Sequence, residues 1–348
     1  MLKKVLVILI FSRLALFIYA GGILDFSNHW DGQHYIYLSE NGYANQGDEA
    51  NFIVFLPFYP ILIKIFNLII NNSLISSILV SNIAFILAGI FFYKLLRLDY
   101  SEKFSSFTVL LMAIFPTSYF FSSSYPESLF FLLFCLSFFT SDKKPILSGL
   151  FSSLANLTRP FGIFLLPSLG IEFLKKRKRA TKILTLVLFF TLSISIYMLI
   201  NYSVYKDPFA FQKILRDHWQ KSFAFPWQSI YQSWRVAILS KNWGDYRIFV
   251  GFAEAIASTI AWIFVPLAFY KKFKIRLSYA IYYLLGVILF TSTGFVLSAP
   301  RYILSLPPFF IILAQVLKSK ISKAVWITAS TALLFYLTSI CIKGQWAF

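Results

Sequence analysis

Long apolar runs decide what this chain can fold into. Its 348 residues are 58% hydrophobic and only 13% charged, whereas soluble domains carry about 25% charged residues. A helix needs about 20 apolar residues to cross a bilayer. Its backbone N–H and C=O groups must find their hydrogen-bond partners within the helix, because the bilayer core holds no water. About eleven runs approach that length. We therefore predict an all-α, polytopic membrane helix bundle that occupies the whole chain, 1–348, as a single domain.

The predicted spans follow these runs along the chain. They lie at about 5–24, 74–93, 104–122, 126–140, 146–158, 160–174, 183–204, 247–270, 277–297, 301–317 and 324–342. The first run resembles a signal peptide, because Lys3 and Lys4 precede it and the small residues Ala20, Gly21 and Gly22 end it. We interpret it as a retained first helix.

Residues 52–70 are ambiguous, because they are apolar enough to span but contain Pro57, Pro60 and Lys64. If this stretch lies along the membrane surface or re-enters, the basic clusters between the runs share one side, as the positive-inside rule requires. These clusters are Lys3/Lys4, Lys94/Arg97/Lys103, Lys143/Lys144, Lys175 to Lys182, Lys271 to Arg276 and Lys318 to Lys323. We therefore predict eleven spans, a cytoplasmic N-terminus and a C-terminus on the outer side.

Composition also limits the partners of the chain. A net charge of +18 suggests nucleic-acid binding. However, the basic residues lie in short clusters between apolar runs, which is typical of cytoplasmic loops. We expect membrane lipids as partners and no nucleic acid. Cys135 and Cys341 lie in apolar runs without a CxxC motif, which argues against a disulfide framework or a zinc site. The sequence has no Walker A loop and no dinucleotide-binding glycine fingerprint.

Two predicted outer loops hold polar residues that could act on a substrate. The first outer loop, 25–73, has five acidic residues and no Lys or Arg before residue 52, and we expect short juxtamembrane helices within it. The interfacial loop, 205–246, is longer than most connections. It mixes Lys and Arg with tryptophans, as segments at the membrane interface do. Its tryptophans are Trp219, Trp227, Trp234 and Trp243.

A polar cluster, His29-Trp30-Asp31-Gly32-Gln33-His34-Tyr35, follows the first span. Asp31 could act as a general base at the membrane surface, or it could cap the short helix that follows; the two roles are compatible. His29, Asp31 and His34 are residue types that bind zinc or manganese, but their spacing is not a familiar helical ligand pair. We predict no metal site and no required cofactor.

Charged residues also mark other predicted spans. Glu127 begins a span, where the helix dipole favours a carboxylate, and an ionisable residue at membrane depth is also a functional hypothesis. Arg159 and Arg301 lie at outer span ends, where a guanidinium either anchors the helix or binds an anionic phosphate. Arg13 lies inside the first span, and we expect it to pair with a carboxylate or with carbonyls of the bundle.

These motifs, in this order, resemble the PIG-V family, the second mannosyltransferases of GPI-anchor synthesis, together with its bacterial homologues. The likeness covers nearly the whole chain, although each motif is short. The residues that carry it are His29-Trp30-Asp31, Asn41-Gly42-Tyr43, Phe55-Leu56-Pro57-Phe58-Tyr59-Pro60, Tyr125-Pro126-Glu127-Ser128-Leu129-Phe130, Thr158-Arg159-Pro160-Phe161-Gly162, Asp207-Pro208-Phe209-Ala210-Phe211-Gln212, Trp219, Pro226-Trp227 and Ala299-Pro300-Arg301-Tyr302.

The resemblance implies an inverting glycosyltransferase of the GT-C type in the membrane, a bacterial plasma membrane rather than the endoplasmic reticulum. Such enzymes take a sugar, usually mannose, from a polyprenyl-phosphate carrier on the outer or lumenal side and transfer it to a lipid-linked or cell-envelope acceptor. Asp31 matches the catalytic base, and Arg159 and Arg301 are candidates for the donor phosphate. The other candidate substrate-binding residues are His29, Trp30, His34, Glu49, Tyr59, Tyr125, Glu127, Gln212, Trp219 and Tyr302.

The main alternative is a transporter or flippase for a lipid-linked sugar, which would share the spans and the arginines. Transporters of this kind show internal repeats or paired broken helices near the membrane midplane. Neither is evident in the sequence, and the polar residues cluster at one predicted face. A structural partner subunit with an enzyme-like fold is a second alternative, which the presence of Asp31 disfavours.

Overall fold

The computed structural model describes residues 2–22, 29–175, 180–240 and 246–348. Within those ranges the regular secondary structure is helical, which confirms the predicted all-α class. The α-helices are α1 Leu2–Tyr19, α2 Asp31–Asn41, α3 Phe58–Ile70, α4 Ser73–Leu96, α5 Glu102–Ala113, α6 Glu127–Thr140, α7 Pro145–Asn156, α8 Leu165–Lys175, α9 Ala180–Tyr205, α10 Ala210–Asp217, α11 Pro226–Leu239, α12 Tyr246–Phe269, α13 Leu277–Thr291, α14 Ala299–Tyr302, α15 Pro307–Val316 and α16 Lys320–Ile342. Short 3-10 helices lie at Asp48–Val54, Ser118–Phe121, Pro160–Phe164, Lys271–Phe273 and Ile303–Ser305.

Several described helices are suited to crossing a membrane. Helices α4, α9, α12 and α16 are long and apolar enough, and two bent pairs would raise the number of crossings to six. The four helices coincide with the predicted spans 74–93, 183–204, 247–270 and 324–342. A multi-pass membrane protein is thereby supported. The count of eleven spans stays a prediction, since other apolar helices, such as α6 and α13, have fewer than 18 residues.

The first outer loop leaves and rejoins the bundle at the same end. Helices α1 and α4 run antiparallel, because Leu9 packs on Gly89 while the Arg13 guanidinium lies 4.4 Å from the centre of the Phe85 ring. The stretch 52–70 between them is not one straight helix: the 3-10 helix Asp48–Val54 and α3 meet at 110°. The break falls at Pro57, as the sequence indicates. These contacts favour the surface or re-entrant interpretation of 52–70.

Prolines interrupt two other predicted spans. In 104–122, α5 ends at Ala113, before Pro116, and in 301–317 the chain bends by 99° before Pro307. Proline lacks the N–H that a continuing helix would need. The irregular segment after α5 is buried. Arg13 provides hydrogen bonds for some of its backbone carbonyls, since its guanidinium donates to the carbonyls of Ala113 (2.5 Å) and Ser118 (2.7 Å). The predicted pairing of Arg13 with carbonyls is confirmed.

The opposite end of the bundle carries its own ion pairs. Arg276, just before α13, donates from Nε to Asp99 (2.8 Å) and from Nη1 to Glu172 (3.2 Å). Asp99 and Arg276 belong to two connections that the charge pattern assigns to the cytoplasmic side, and Glu172 lies in the last turn of α8, which leads into a third. Their contact agrees with a common side for those connections.

Candidate active site

Four charged side chains from distant parts of the sequence meet at one end of the bundle. They are Asp31 at the start of α2, Glu127 at the start of α6, Arg159 after α7, and Arg301 in α14. Arg301 donates from Nη1 to Asp31 Oδ2 (2.7 Å) and from Nε to Glu127 Oε1 (2.5 Å). Arg159 donates from Nη1 to the same Glu127 oxygen. We call these four residues the charge cluster.

Burial differs sharply within the charge cluster. The Glu127 side chain is fully buried, and Arg159 and Arg301 are nearly so, whereas 22% of the Asp31 side chain is exposed. Two carboxylates balance two guanidiniums, which is the condition under which charges tolerate burial. Asp31 is therefore the most exposed member of the charge cluster.

Three members of the charge cluster, Asp31, Arg159 and Arg301, line a cavity of about 300 Å³, which we call the central cavity, and they form its polar end. Its size is at the lower limit of ordinary ligand sites. Its walls are mostly apolar and come from Val54–Leu56, Pro160, Phe161, Leu215, Leu289 and Phe290. Its polar and charged lining residues are Asp31, Tyr35, Thr158, Arg159, Lys221, Thr293, Arg301 and Tyr302.

The side chain of Asp31 faces the charge cluster instead of capping its helix. Helix α2 begins at Asp31 itself, so Asp31 is not its capping residue, and the N-cap residue Trp30 makes no side-chain hydrogen bond to the helix. The carboxylate accepts from Arg301 through Oδ2, and Oδ1 lies 3.9 Å from His34 Nδ1. Burial lowers the pKa of His34, and His218 lowers it further, while Asp31 opposes the shift. His34 is thus favoured in its neutral form beside the carboxylate.

Several predicted residues surround the charge cluster without lining the central cavity. The Tyr125 ring lies 4.5 Å from the guanidinium of Arg301, and its hydroxyl donates to the carbonyl of His29 (2.9 Å). The Trp30 ring meets Trp346 edge to face. These contacts fix the two residues that precede Asp31.

Aromatic rings connect the first outer loop to the interfacial loop. Trp219 packs edge to face on Phe55 and His34, and its Nε1 donates to the carbonyl of Asn51 (3.3 Å). His34 also stacks on Phe52 at 4.2 Å. The predicted proximity of Trp219 to the site therefore arises through ring packing beside the cavity.

Comparison with known proteins decides the family. A family model described as Mannosyltransferase (PIG-V) matches residues 13–228, which is more than half of the chain. The chain belongs to this family. Family membership makes it a glycosyltransferase and confirms the resemblance seen in the motifs. No curated protein and no solved structure matches the chain.

The matched region of this mannosyltransferase-family chain contains three members of the charge cluster, Asp31, Glu127 and Arg159, but ends before Arg301. The assignment of Arg301 and Tyr302 to the site therefore rests on the contacts in the structure. The Tyr302 ring lines the central cavity and packs against Phe161 at 5.7 Å.

Three further predicted substrate-binding residues also lie outside the lining of the central cavity. Tyr59 is buried, and its hydroxyl bonds to Ser81 (2.7 Å) in the bundle, which indicates a packing role. Glu49 lies in the 3-10 helix after Gly47, and Gln212 is exposed on α10. Their roles stay predictions. Within the described ranges, no group of three or more His, Cys, Asp or Glu side chains is arranged to hold a metal ion.

Sequence reasoning missed two residues near the site. Glu254, buried in α12, accepts hydrogen bonds from the backbone N–H groups of Ser298 (2.5 Å) and Ala299 (2.6 Å), directly before Arg301. It is the one acidic residue of the predicted span 247–270, and a carboxylate inside a span could have identified it. Lys221 lines the cavity, but nothing in the sequence distinguishes it from other lysines of its loop.

Proposed function

We propose that this protein transfers mannose from a polyprenyl-phosphate carrier to a hydroxyl of a lipid-linked or cell-envelope acceptor. Membership of the family supports sugar transfer. The observation that carries the assignment of the site is Asp31, the partly exposed carboxylate of the charge cluster, which lines the central cavity. The apolar walls of that cavity suit a substrate that arrives on a lipid.

In the proposed reaction Asp31 acts as the general base. The acceptor O–H gives its proton to the carboxylate while the acceptor oxygen bonds to the anomeric carbon of mannose. The bond from that carbon to the phosphate oxygen breaks, and polyprenyl phosphate leaves with the electron pair. Arg301 holds Oδ2 at 2.7 Å, so that Oδ1 is the oxygen proposed to receive the proton.

Arg301 is a positioning residue in this proposal, because its contacts are with the two carboxylates. Its Nε and Nη1 engage Glu127 and Asp31, and Glu127 is itself fixed by Arg159. Such a supported carboxylate keeps its orientation without reorganising during the reaction. Binding of the donor phosphate by Arg159 and Arg301 remains the alternative role, and the exchange of Arg301 described below separates the two.

We also propose that transfer takes place on the outer face of a bacterial plasma membrane, with the N-terminus in the cytoplasm. The support is the charge pattern. The basic clusters flank connections such as those of Asp99 and Arg276, whereas Asp31 and Glu127 lie together at the end from which the acidic first outer loop emerges.

The exchange Asp31→Asn tests this function. Asn keeps the size and can still accept from Arg301, but it cannot take a proton, and loss of a general base costs on the order of 10²–10⁴ in rate. Purified protein is incubated with polyprenyl-phosphate-mannose and a membrane extract, and the mannosylated product is identified. Donor binding should stay close to wild type, and any loss of thermal stability should be smaller than that of Glu127→Gln, because Asp31 is partly exposed.

The matched control is Glu40→Gln, an exposed carboxylate of the same loop that does not line the cavity. It should retain the wild-type rate. A near wild-type rate for Asp31→Asn would show that the base is another residue, and no mannosylated product from the wild-type protein with this donor would refute the donor class.

A further inference from the structure

The charge cluster leaves no surplus positive charge for a phosphate. Asp31 and Glu127 together neutralise Arg159 and Arg301, and both arginines make hydrogen bonds to these carboxylates. A departing phosphate needs cationic groups of its own, aimed at the charge that develops as the bond breaks. Another cation of the central cavity is therefore required if the proposed donor is used.

Inversion separates the base from the leaving group. The acceptor oxygen attacks one face of the anomeric carbon while the phosphate departs from the opposite face, so the two lie on opposite sides of the sugar. A guanidinium bonded to Asp31 at 2.7 Å is on the side of the base. The phosphate is expected at a distance from Arg301, elsewhere along the cavity wall.

Lys221 meets this requirement. It lines the central cavity, and among the described residues it makes no ion pair with a carboxylate. Its ammonium lies 4.5 Å from the centre of the Phe295 ring, a contact that orients the group and leaves its charge available. Lysine is a compact charge suited to phosphate.

Backbone pairing fixes the position of Lys221. The residues that follow it pair with the segment just after α13: Gly294 N donates to Ser222 O (2.9 Å), and a bridge joins Phe223 to Thr293. The residue before it, Gln220, has a φ of 52°, a left-handed conformation that glutamine rarely adopts. The turn is thus held in place by its surroundings.

A second depression begins where the central cavity reaches Lys221. This groove, of about 360 Å³, shares Lys221, Leu289 and Thr293 with the cavity. Its other lining is mainly apolar and includes Phe164, Leu285, Ile288 and Phe223. We call it the α13 groove. Lys221 is therefore at the junction of a polar-ended cavity and an apolar groove.

We propose that Lys221 binds the phosphate of an isoprenoid carrier and that the α13 groove holds the first isoprenoid units of its tail. This inference rests on the proposed function, and it assigns the two ends of the donor to two sides of one lysine. An anion attached to an apolar chain is the one ligand that matches a cation between these two surfaces. The sugar then extends from Lys221 toward Asp31.

Binding of polyprenyl phosphate, without sugar or acceptor, tests the site separately from transfer. Lys221→Met should weaken binding about 10- to 100-fold, the loss expected for one charge-assisted hydrogen bond. Lys221→Arg should restore most of it. Lys213→Met is the control, because Lys213 is an exposed lysine of the same loop that lines neither the cavity nor the groove.

The pH dependence adds a second readout. Burial lowers the pKa of Lys221 to about 8, and the charge of Glu254 from α12 limits the shift. The ammonium is charged below that value, so affinity for polyprenyl phosphate should fall as the pH rises from 7 to about 9.5 in the wild type. In Lys221→Arg it should stay level, since arginine does not titrate in this range.

The groove is tested with Ile288→Trp, which fills it, and with Leu284→Trp, a half-buried position of α13 outside its lining. Only Ile288→Trp should weaken the binding of polyprenyl phosphate, and inorganic phosphate should bind equally to both variants. Wild-type affinity in Lys221→Met would overturn the phosphate site, and wild-type affinity in Ile288→Trp would overturn the tail site. Absence of transfer with intact, Lys221-dependent binding would refute the proposed function alone.

Discussion

Glu127→Gln should destabilise this protein more than any other single exchange in the charge cluster. The Glu127 side chain is fully buried, and its Oε1 accepts from both Arg159 and Arg301. Glutamine has nearly the same shape, so packing is preserved and only the charge is lost. Arg159 is then left without a carboxylate, and Arg301 keeps Asp31 alone.

Breaking a buried ion pair by removing one partner costs about 3–5 kcal/mol, because the remaining charge is buried without compensation. The free energy of unfolding of a folded protein is about 5–15 kcal/mol in total, so this loss is a large share of the stability. The double variant Glu127→Gln/Arg159→Met removes one charge of each sign and leaves the pair Asp31–Arg301. We expect the loss of unfolding free energy in the double variant to be roughly 1–3 kcal/mol smaller than the sum of the losses in the two single variants.

The assay is unfolding of purified protein in mixed micelles with increasing SDS, followed by tryptophan fluorescence, which the eight tryptophans provide. Glu40→Gln, an exposed carboxylate of α2, serves as the control and should unfold like the wild type. If the double variant is as unstable as the two single losses added together, to within about 0.5 kcal/mol, the two side chains are not coupled and the reasoning is refuted.

Three further predictions follow from the same contacts. Arg301→Lys cannot engage two carboxylates in the same way, so kcat should fall about 10-fold or more with little change in the KM for the donor; a rise confined to that KM would favour phosphate binding. In a background without the two buried native cysteines, Asn45→Cys should react with an impermeant thiol reagent from outside and Lys143→Cys only after permeabilisation; the reverse pattern would invert the topology. Glu254→Gln should lower the stability by roughly 1–3 kcal/mol and also lower kcat, because one of the two N–H groups before Arg301 loses its acceptor; unchanged kcat would make it purely structural.

Local sequence signals anticipated the elements that depend on neighbouring residues. The long apolar runs became α4, α9, α12 and α16, and Pro57 broke the stretch 52–70. Asp31 began a short helix, as its surroundings indicated. These features follow from hydrophobicity and proline chemistry, which act over a few residues.

Pairing within the site could not be predicted in the same way. The contact of Asp31 with Arg301 joins residues 270 positions apart, and it depends on how the whole bundle packs. Both residues were candidates, but their neutralisation of each other was not expected. Lys221 reaches the central cavity on a loop that pairs with the segment just after α13, and such pairing leaves no local signature in the sequence.

The wide spacing of the charge cluster along the sequence has a consequence for biogenesis. A chain that is inserted as it is synthesised delivers Asp31, Glu127 and Arg159 before Arg301. During that interval Glu127 can pair with Arg159, but Asp31 has not yet met its cation. The charge cluster is therefore completed only after translation has passed α14, and a nascent or prematurely terminated chain in the membrane lacks the complete proposed active site.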